Sequence, residues 1–131
     1  MTVRLTRRVR FEAAHRLVSA EFDDAQNLAI YGKCARVGGH GHNYEVDIVL
    51  EGDPDPESGL LISRDELDAT LKRVLLNRVD HRNLNDVVDV VTTGENLALV
   101  FRAWLEPEFM DRARLVGVVV HETARNRFGV E

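Results

Sequence analysis

Two stretches of alternating apolar and polar residues limit the fold of this chain more than any other feature. The first runs from Val3 to Ala14 and the second from about His42 to Glu51. A period of two places successive side chains on opposite faces of an extended strand. Each stretch therefore predicts a β-strand with one buried face. The apolar positions are Val3, Leu5, Val9 and Phe11 in the first stretch and Tyr44, Val46, Ile48 and Leu50 in the second.

The middle of the chain carries different local signals. Residues 16–33 do not continue the alternation, and they predict a long connection that contains a short helical turn. Connections of this length inside compact domains are often functional. Ser63 and Glu66 form an S-x-x-E capping box, which predicts an amphipathic helix through about Leu76. Residues 77–90 predict a polar connection.

The last third predicts one more helix and two strands. Thr92 and Glu95 repeat the capping signature and predict a helix through about Leu105. Residues 114–130 predict two strands joined by a tight turn around 124–126. The order strand, strand, helix, helix, strand, strand is typical of an α+β fold.

The sequence thus predicts a single domain, residues 1–131, with a four-stranded antiparallel sheet and two helices on one of its faces. Both edges of such a sheet remain open, and open edges favour oligomerisation. We therefore expect a homo-oligomer.

Composition indicates a soluble globular protein. Hydrophobic residues make up 44% and charged residues 30% of the 131 positions, and no apolar run approaches the roughly 18 residues that span a bilayer. The N-terminal stretch has no continuous apolar segment, so we expect no signal peptide. The single cysteine excludes an internal disulfide and fits a reducing cytoplasm. A net charge of −5 argues against general nucleic-acid binding, although basic residues crowd the first third of the chain.

His40 and His42 are the most informative pair of residues. Residues i and i+2 of an extended segment face the same side, so both imidazoles can reach one metal ion. Gly41 between them lets the backbone approach a ligand closely. His15, at the end of the first strand, becomes a third ligand if the two strands pair. Three neutral imidazoles suit zinc and leave one position open, as in catalytic sites; the alternative is three ordinary surface or core histidines.

Cys34 lies six residues before His40 in a basic and glycine-rich setting, next to Lys33 and Arg36. Such a setting favours the thiolate, which is the reactive form of cysteine. Two alternatives stay open at this stage. Cys34 could be a small buried apolar side chain, or it could be a fourth zinc ligand that makes the site structural.

Further candidates lie in the second half of the chain. Asp80 and His81 are adjacent in a polar connection, where they form either a proton-handling pair or a solvated turn. Glu122 follows a very apolar strand, either at an exposed strand end or in position to bind a ligand. Capping explains Thr93 and Glu95 without any further role.

Together these segments resemble the 6-pyruvoyl-tetrahydropterin synthase family. HGHNY with an upstream cysteine and a separate AAHRL is a specific combination. The resemblance implies the tunnelling fold, ββααββ, in which subunits join their sheets into a barrel and commonly stack as a hexamer with active sites between subunits. The matching stretches follow the family's order over nearly the whole chain: FEAAHRL at 11–17, NLAIYGKCARVGGHGHNYEVDI at 27–48, VDHRNLN at 79–85, VVTTGENLA at 90–98 and HET at 121–123.

The resemblance also implies roles for individual residues. The family's zinc ligands, catalytic cysteine and proton-transfer pair are matched by His15, His40 and His42, by Cys34, and by Asp80 with His81. The residues of its pterin pocket are matched by Glu122, Thr93 and Glu95. Arg16 and Lys33 are assigned to the triphosphate on charge and neighbourhood alone.

The implied reaction converts 7,8-dihydroneopterin triphosphate to 6-pyruvoyl-tetrahydropterin, with loss of triphosphate and an internal redox shift. Zinc on the side-chain oxygens would acidify the adjacent C–H bonds. The Cys34 thiolate would remove those protons, and the Asp80–His81 pair would return protons elsewhere. No nicotinamide is required, and the chain has no dinucleotide-binding glycine pattern.

Two departures from the family pattern stand out. His121 occupies a position where the family often has Tyr or Trp, and it serves local packing or adds a titrating group near the pterin. Gly94, between Thr93 and Glu95, is expected to loosen the start of the helix.

Three rival functions remain open at this stage. The first is the 6-carboxy-tetrahydropterin synthase activity of the same fold, whose members more often place three residues between the cysteine and HGH, where this chain has five. The second is a non-catalytic zinc- or pterin-binding module. The third is a zinc hydrolase that uses a metal-bound hydroxide.

Overall fold

The computed structural model describes all 131 residues, and it forms one sheet with helices packed on one face. The strands are β1 (Val3–His15), β2 (His40–Gly52), β3 (Arg82–Asn83), β4 (Arg114–His121) and β5 (Arg127–Val130). The helices are α1 (Asp24–Tyr31), α2 (Arg64–Leu71), α3 (Asn77–Val79) and α4 (Gly94–Leu105). None of them is long and apolar enough to cross a membrane.

The sheet has the order β3-β1-β2-β4-β5, and β1 and β2 pair antiparallel along their whole lengths. The register places Ala13 opposite His42 and His15 opposite His40. Because side chains alternate along a strand, all three histidines therefore lie on the same face at the same end of the sheet. The α+β prediction and its four antiparallel strands are confirmed.

The prediction of only four strands is wrong in one detail. A fifth strand, β3, has two residues and pairs in parallel with Ala13 and Ala14 of β1. Two residues are too few to show an alternation of apolar and polar side chains, so no sequence pattern predicts this strand. It forms because the chain after α3 is bound to the edge of β1, where the His81 N–H donates to the Glu12 carbonyl oxygen at 2.6 Å.

Both predicted helices form, with altered ends. The first continues past Leu76: α2 passes through a π-helical stretch, Lys72–Leu76, into α3, which ends at Val79. The start of the second helix differs from the prediction because the capping residue is Thr93, whose Oγ1 accepts a hydrogen bond from Asn96 N at 3.2 Å. Thr92 is fully buried and does not cap the helix.

The sequence predicted that Gly94 would loosen the start of α4, but it does not. A Cβ built at Gly94 would lie 2.0 Å from the Phe128 ring, so only glycine allows the first turn of α4 to pack against β5. The predicted turn between the last two strands is confirmed, since β4 and β5 pair antiparallel across residues 122–126.

The core lies between the inner face of the sheet and helices α2 and α4. Helix α4 buries residues at intervals of four, Leu97, Phe101 and Leu105, which form one apolar stripe. Phe11 and Tyr44, opposite each other on β1 and β2, stack with ring centroids 4.9 Å apart. The histidines continue this buried face beyond Tyr44, so the site lies where the apolar core ends.

Candidate metal centre and active site

Three histidines converge at the end of the β1–β2 pair. Their ligand atoms all lie within 4.8 Å of one another, and Nε2 of His15 is 3.0 Å from Nε2 of His40. Three imidazole nitrogens around a tetrahedral zinc ion lie roughly 3.3 Å apart, given Zn–N distances of about 2.0–2.1 Å. The cluster therefore needs only small side-chain adjustments to surround one ion. The structure brings together the three residues that the sequence predicted as ligands.

A hydrogen bond fixes the orientation of the His15 ring. Nδ1 of His15 lies 2.9 Å from the carbonyl oxygen of Thr92 and 3.2 Å from its Oγ1. A carbonyl oxygen can only accept, so Nδ1 carries the proton and donates it. The lone pair of His15 is then on Nε2, which points at the cluster. Metal-ligating histidines characteristically use their second nitrogen in this way.

The electrostatics of the cluster favour the neutral form of His15 and His42. Burial lowers the pKa of His15 to about 4, and the neighbouring His40 and His42 add to this effect, against the raising effect of the hydrogen bond to Thr92. Burial also lowers the pKa of His42, against the raising effect of the Glu122 carboxylate. Nε2 of His42 is buried and has no hydrogen-bond partner. A buried ring nitrogen without a partner, beside two more imidazoles, fits the donor set of a zinc site.

Cys34 lies in a 3₁₀ turn, Gly32–Ala35, next to the end of β1, and it is half-buried. Its carbonyl oxygen accepts a hydrogen bond from Leu17 N at 2.7 Å, and the neighbouring carbonyl of Ala35 accepts one from Arg16 Nε at 2.7 Å. The group of converging ligand atoms contains the three histidines and not Cys34. These contacts bind the turn of Cys34 to the residues after His15, and the geometry does not favour a fourth-ligand role for Cys34.

Asp80 and His81 form the hydrogen-bonded pair that the sequence suggested. Oδ1 of Asp80 lies 2.9 Å from Nδ1 of His81 and also accepts from Glu12 N at 3.1 Å. His81 adopts a positive φ of 58°, which is uncommon outside glycine and is held here by its bonds to Glu12. The His81 side chain is 73% exposed, in an open groove beside β1 that His42 also lines.

The remaining predicted residues are distributed around the cluster. Glu122 follows β4, and its carboxylate opposes the lowering of the His42 pKa by burial and adds to the raising of the Tyr44 pKa by burial, so it lies near both side chains. Lys33 and Glu95 are exposed. His121, by contrast, points to the opposite face, where its Nε2 lies 3.0 Å from Oδ2 of Asp47. This contact favours the local packing role of His121 over a role beside the pterin.

Two residues around the site were not singled out as functional from the sequence. Thr92 was assigned to helix capping, yet it supports the His15 ring. Asn85 binds the backbone of Arg16 through two hydrogen bonds. Two adjacent threonines before a helix could have indicated this role, because only one of them can be the capping residue. Asn85 carries no comparable signal.

The fold and the histidine cluster together define a class: tunnelling-fold α+β proteins with a three-histidine metal-type centre. Within that class, residues 4–131 match the family model described as 6-pyruvoyl tetrahydropterin synthase, and the chain belongs to this family.

Individual relatives agree with the family assignment. The 6-pyruvoyl tetrahydrobiopterin synthase of Drosophila melanogaster is 38% identical over 126 residues, which cover 93% of this chain and 75% of that protein. The human 6-pyruvoyl tetrahydrobiopterin synthase is 36% identical over 126 residues, covering 93% and 86%. The solved structure of Caenorhabditis elegans 6-pyruvoyl tetrahydropterin synthase superposes with a TM-score of 0.93 at 36% identity, covering 100% of this chain and 96% of that one.

Proposed function

We propose that this chain is a zinc-dependent lyase that converts 7,8-dihydroneopterin triphosphate to 6-pyruvoyl-tetrahydropterin, with elimination of triphosphate, in tetrahydropterin biosynthesis. The observation that carries the proposal is the cluster of His15, His40 and His42 within this family's fold, in which burial lowers the pKa of His15 and His42. The turn of Cys34 is bound to Leu17, two residues after His15, and the Glu122 carboxylate lies near His42. In our proposal these two residues, Cys34 and Glu122, supply the proton acceptor and the pterin-binding carboxylate.

Each group around the cluster has a defined role in this proposal. When bound, zinc supplies Lewis-acid polarisation of the substrate's side-chain oxygens, which acidifies the neighbouring C–H bonds. Cys34 accepts a proton from such a carbon as a thiolate. His81 transfers protons, and Asp80 fixes its tautomer by accepting from Nδ1. Glu122 accepts two hydrogen bonds from the amino and ring N–H groups of the pterin.

The polar residues at the rim complete the substrate site in our proposal. Thr93 and Glu95 contribute to the pterin pocket from the start of α4. Lys33, exposed in the same turn as Cys34, binds the triphosphate, and Arg16 contributes its positive charge nearby.

We further propose a homo-oligomer, a trimer or hexamer, with active sites shared between subunits. Strand β3 covers only the last residues of β1, and β5 forms the other edge of the sheet, so both edges can pair with another copy. Asp80 and His81 are exposed at the β1 edge, and neither forms a hydrogen bond with Cys34 of its own chain. A reducing compartment, the cytoplasm, suits an enzyme that depends on a free thiol.

The product of the reaction provides the decisive test. Purified protein with measured zinc content is supplied with dihydroneopterin triphosphate, and the product is identified by mass spectrometry. We expect 6-pyruvoyl-tetrahydropterin and one triphosphate released per turnover. A 6-carboxyl product with released acetaldehyde would instead establish the rival carboxy-synthase activity.

Replacement of Cys34 separates catalysis from metal binding. For Cys34→Ala we expect activity to fall by at least about 100-fold, since proton transfer by a placed group contributes on the order of 10²–10⁴. Zinc should remain near one ion per chain. Loss of zinc together with the thiol would make Cys34 a ligand, and retained turnover of simple phosphate esters would indicate a zinc hydrolase.

A further inference from the structure

The backbone of Arg16, the residue that follows the first histidine ligand, is clamped by the side-chain amide of Asn85. Oδ1 of Asn85 accepts a hydrogen bond from Arg16 N at 2.8 Å, and Nδ2 of Asn85 donates to the Arg16 carbonyl oxygen at 2.8 Å. The partners fix the orientation of the amide, because an N–H needs an acceptor and a carbonyl needs a donor. Asn85 therefore satisfies both backbone groups of Arg16, as a neighbouring strand would, at the point where β1 ends.

The clamped residue lies at the junction of two parts of the active site. His15 precedes it and contributes its Nε2 to the metal cluster. The Arg16 side chain donates from Nε to the Ala35 carbonyl oxygen, and Leu17 N donates to the Cys34 carbonyl oxygen, both at 2.7 Å. The turn that carries Cys34 is thus bound to Arg16, which Asn85 holds, and to the next residue, Leu17.

Both polar atoms of the Asn85 side chain form their hydrogen bonds with Arg16. It is only partly buried, in a 3₁₀ turn after β3, and it borders a small cavity of about 220 Å³ that His15 and Gly39 also line. Its own N–H is anchored by Oδ1 of Asn83 at 3.1 Å, so the turn presents the amide to Arg16 in a fixed orientation. The Thr92 hydroxyl also donates to the Arg16 carbonyl oxygen, at the longer distance of 3.5 Å.

We propose that Asn85 is a positioning residue that aligns His15 and the Cys34 turn with each other through the backbone of Arg16. This inference rests on the proposed function, in which His15 binds zinc and Cys34 accepts the proton. Arg16 then has a second role, because its guanidinium holds the Cys34 turn and its positive charge is available to substrate only through its remaining nitrogen atoms.

The test uses Asn85→Leu, which removes both hydrogen bonds at similar volume, and Asn85→Asp, which keeps the acceptor for Arg16 N but loses the donor to its carbonyl oxygen. Asn77→Leu is the matched control, because Asn77 is an exposed asparagine in α3 without a side-chain hydrogen bond. Zinc affinity is measured by competition with a chromogenic chelator. The accessibility of Cys34 is measured separately as its rate of alkylation by iodoacetamide in the zinc-loaded protein.

For Asn85→Leu we expect zinc affinity to fall about 10-fold or more, within the range found when an outer partner of a ligand is removed. We also expect the alkylation rate to change several-fold and kcat to fall more than KM rises. Asn85→Asp should lie between the parent and Asn85→Leu, and it serves if the leucine variant does not fold.

A lower melting temperature with unchanged zinc affinity and alkylation rate would overturn the inference and leave Asn85 with a structural role. Parent protein that binds no zinc would instead contradict the proposed function, so the two failures are distinguishable.

Discussion

The two faces of the β1–β2–β4 sheet hold histidines in opposite states. On the inner face, His15 is 1% exposed, and Nε2 of His42 has no hydrogen-bond partner. On the outer face, Nε2 of His121 lies 3.0 Å from Asp47 Oδ2, and Arg8 pairs with the same carboxylate through Nε at 2.7 Å and Nη2 at 3.0 Å. The inner face buries its imidazoles and directs them at one another, and the outer face supplies His121 with carboxylate and guanidinium partners.

This difference shows that the hydrogen-bond partners of a histidine indicate its function better than the residue type alone. On the outer face, the hydrogen bond from Arg8 foremost lowers the pKa of Asp47, and the same bond raises the pKa of Arg8. That network is satisfied and requires no ligand. The inner cluster has three partly or fully buried imidazoles whose ring nitrogens converge, an arrangement that a cation would stabilise.

The largest effect that separates the two faces is expected for His42→Ala. Removal of a direct ligand should lower zinc affinity and activity by more than about 100-fold, which exceeds the effect of losing an outer partner. Zinc content, measured by atomic emission after gel filtration, should fall well below one per chain. His121→Ala is the matched control and should retain the metal. Equal zinc content in the two variants would contradict the contrast between the faces.

The parts of the site that the sequence predicted are those governed by local periodicity. The alternation in β1 and β2 places His40 and His42 on one face, and the pairing of these two strands brings His15 opposite His40. Similarly, adjacency in sequence was enough to predict the Asp80–His81 pair, because the two residues form their own hydrogen bond.

The missed parts depend on contacts between distant segments. Thr92 supports a histidine 77 positions away, and Asn85 holds a backbone 69 positions away. Neither contact leaves a periodic or capping signature. The error at Thr92 has a local cause as well: two adjacent threonines both satisfy the capping preference, and burial of the first against His15 decides between them.

Acid should weaken the inner face before the outer one in metal-free protein. Folding lowers the pKa of His15 from 6.5 to about 4, so the unfolded chain binds more protons here as the pH falls between these values. The contribution to stability is complete above pH 6.5 and is lost as the pH falls to 4, by up to about 3 kcal/mol. Asp47, on the outer face, has a pKa lowered from 3.8, so its contribution to stability is lost only as the pH falls below that value.

Urea unfolding of the metal-free protein at several pH values measures this loss. The same series on His15→Gln, which does not titrate, should show a shallower dependence between pH 6.5 and 4. If the free energy of unfolding depends on pH in the same way in both proteins, other groups cause the loss of stability. The expected electrostatic difference between the two faces would then be contradicted.

The smallest effect is expected for the stability of His121→Ala. The His121 side chain is 20% exposed, and its loss leaves the two-point contact between Arg8 and Asp47 in place. Pairs of this kind contribute roughly 0–1 kcal/mol, so the free energy of unfolding in urea should fall by no more than about 1 kcal/mol. A loss several times larger would mean that the outer face depends on His121 packing rather than on the contact between Arg8 and Asp47.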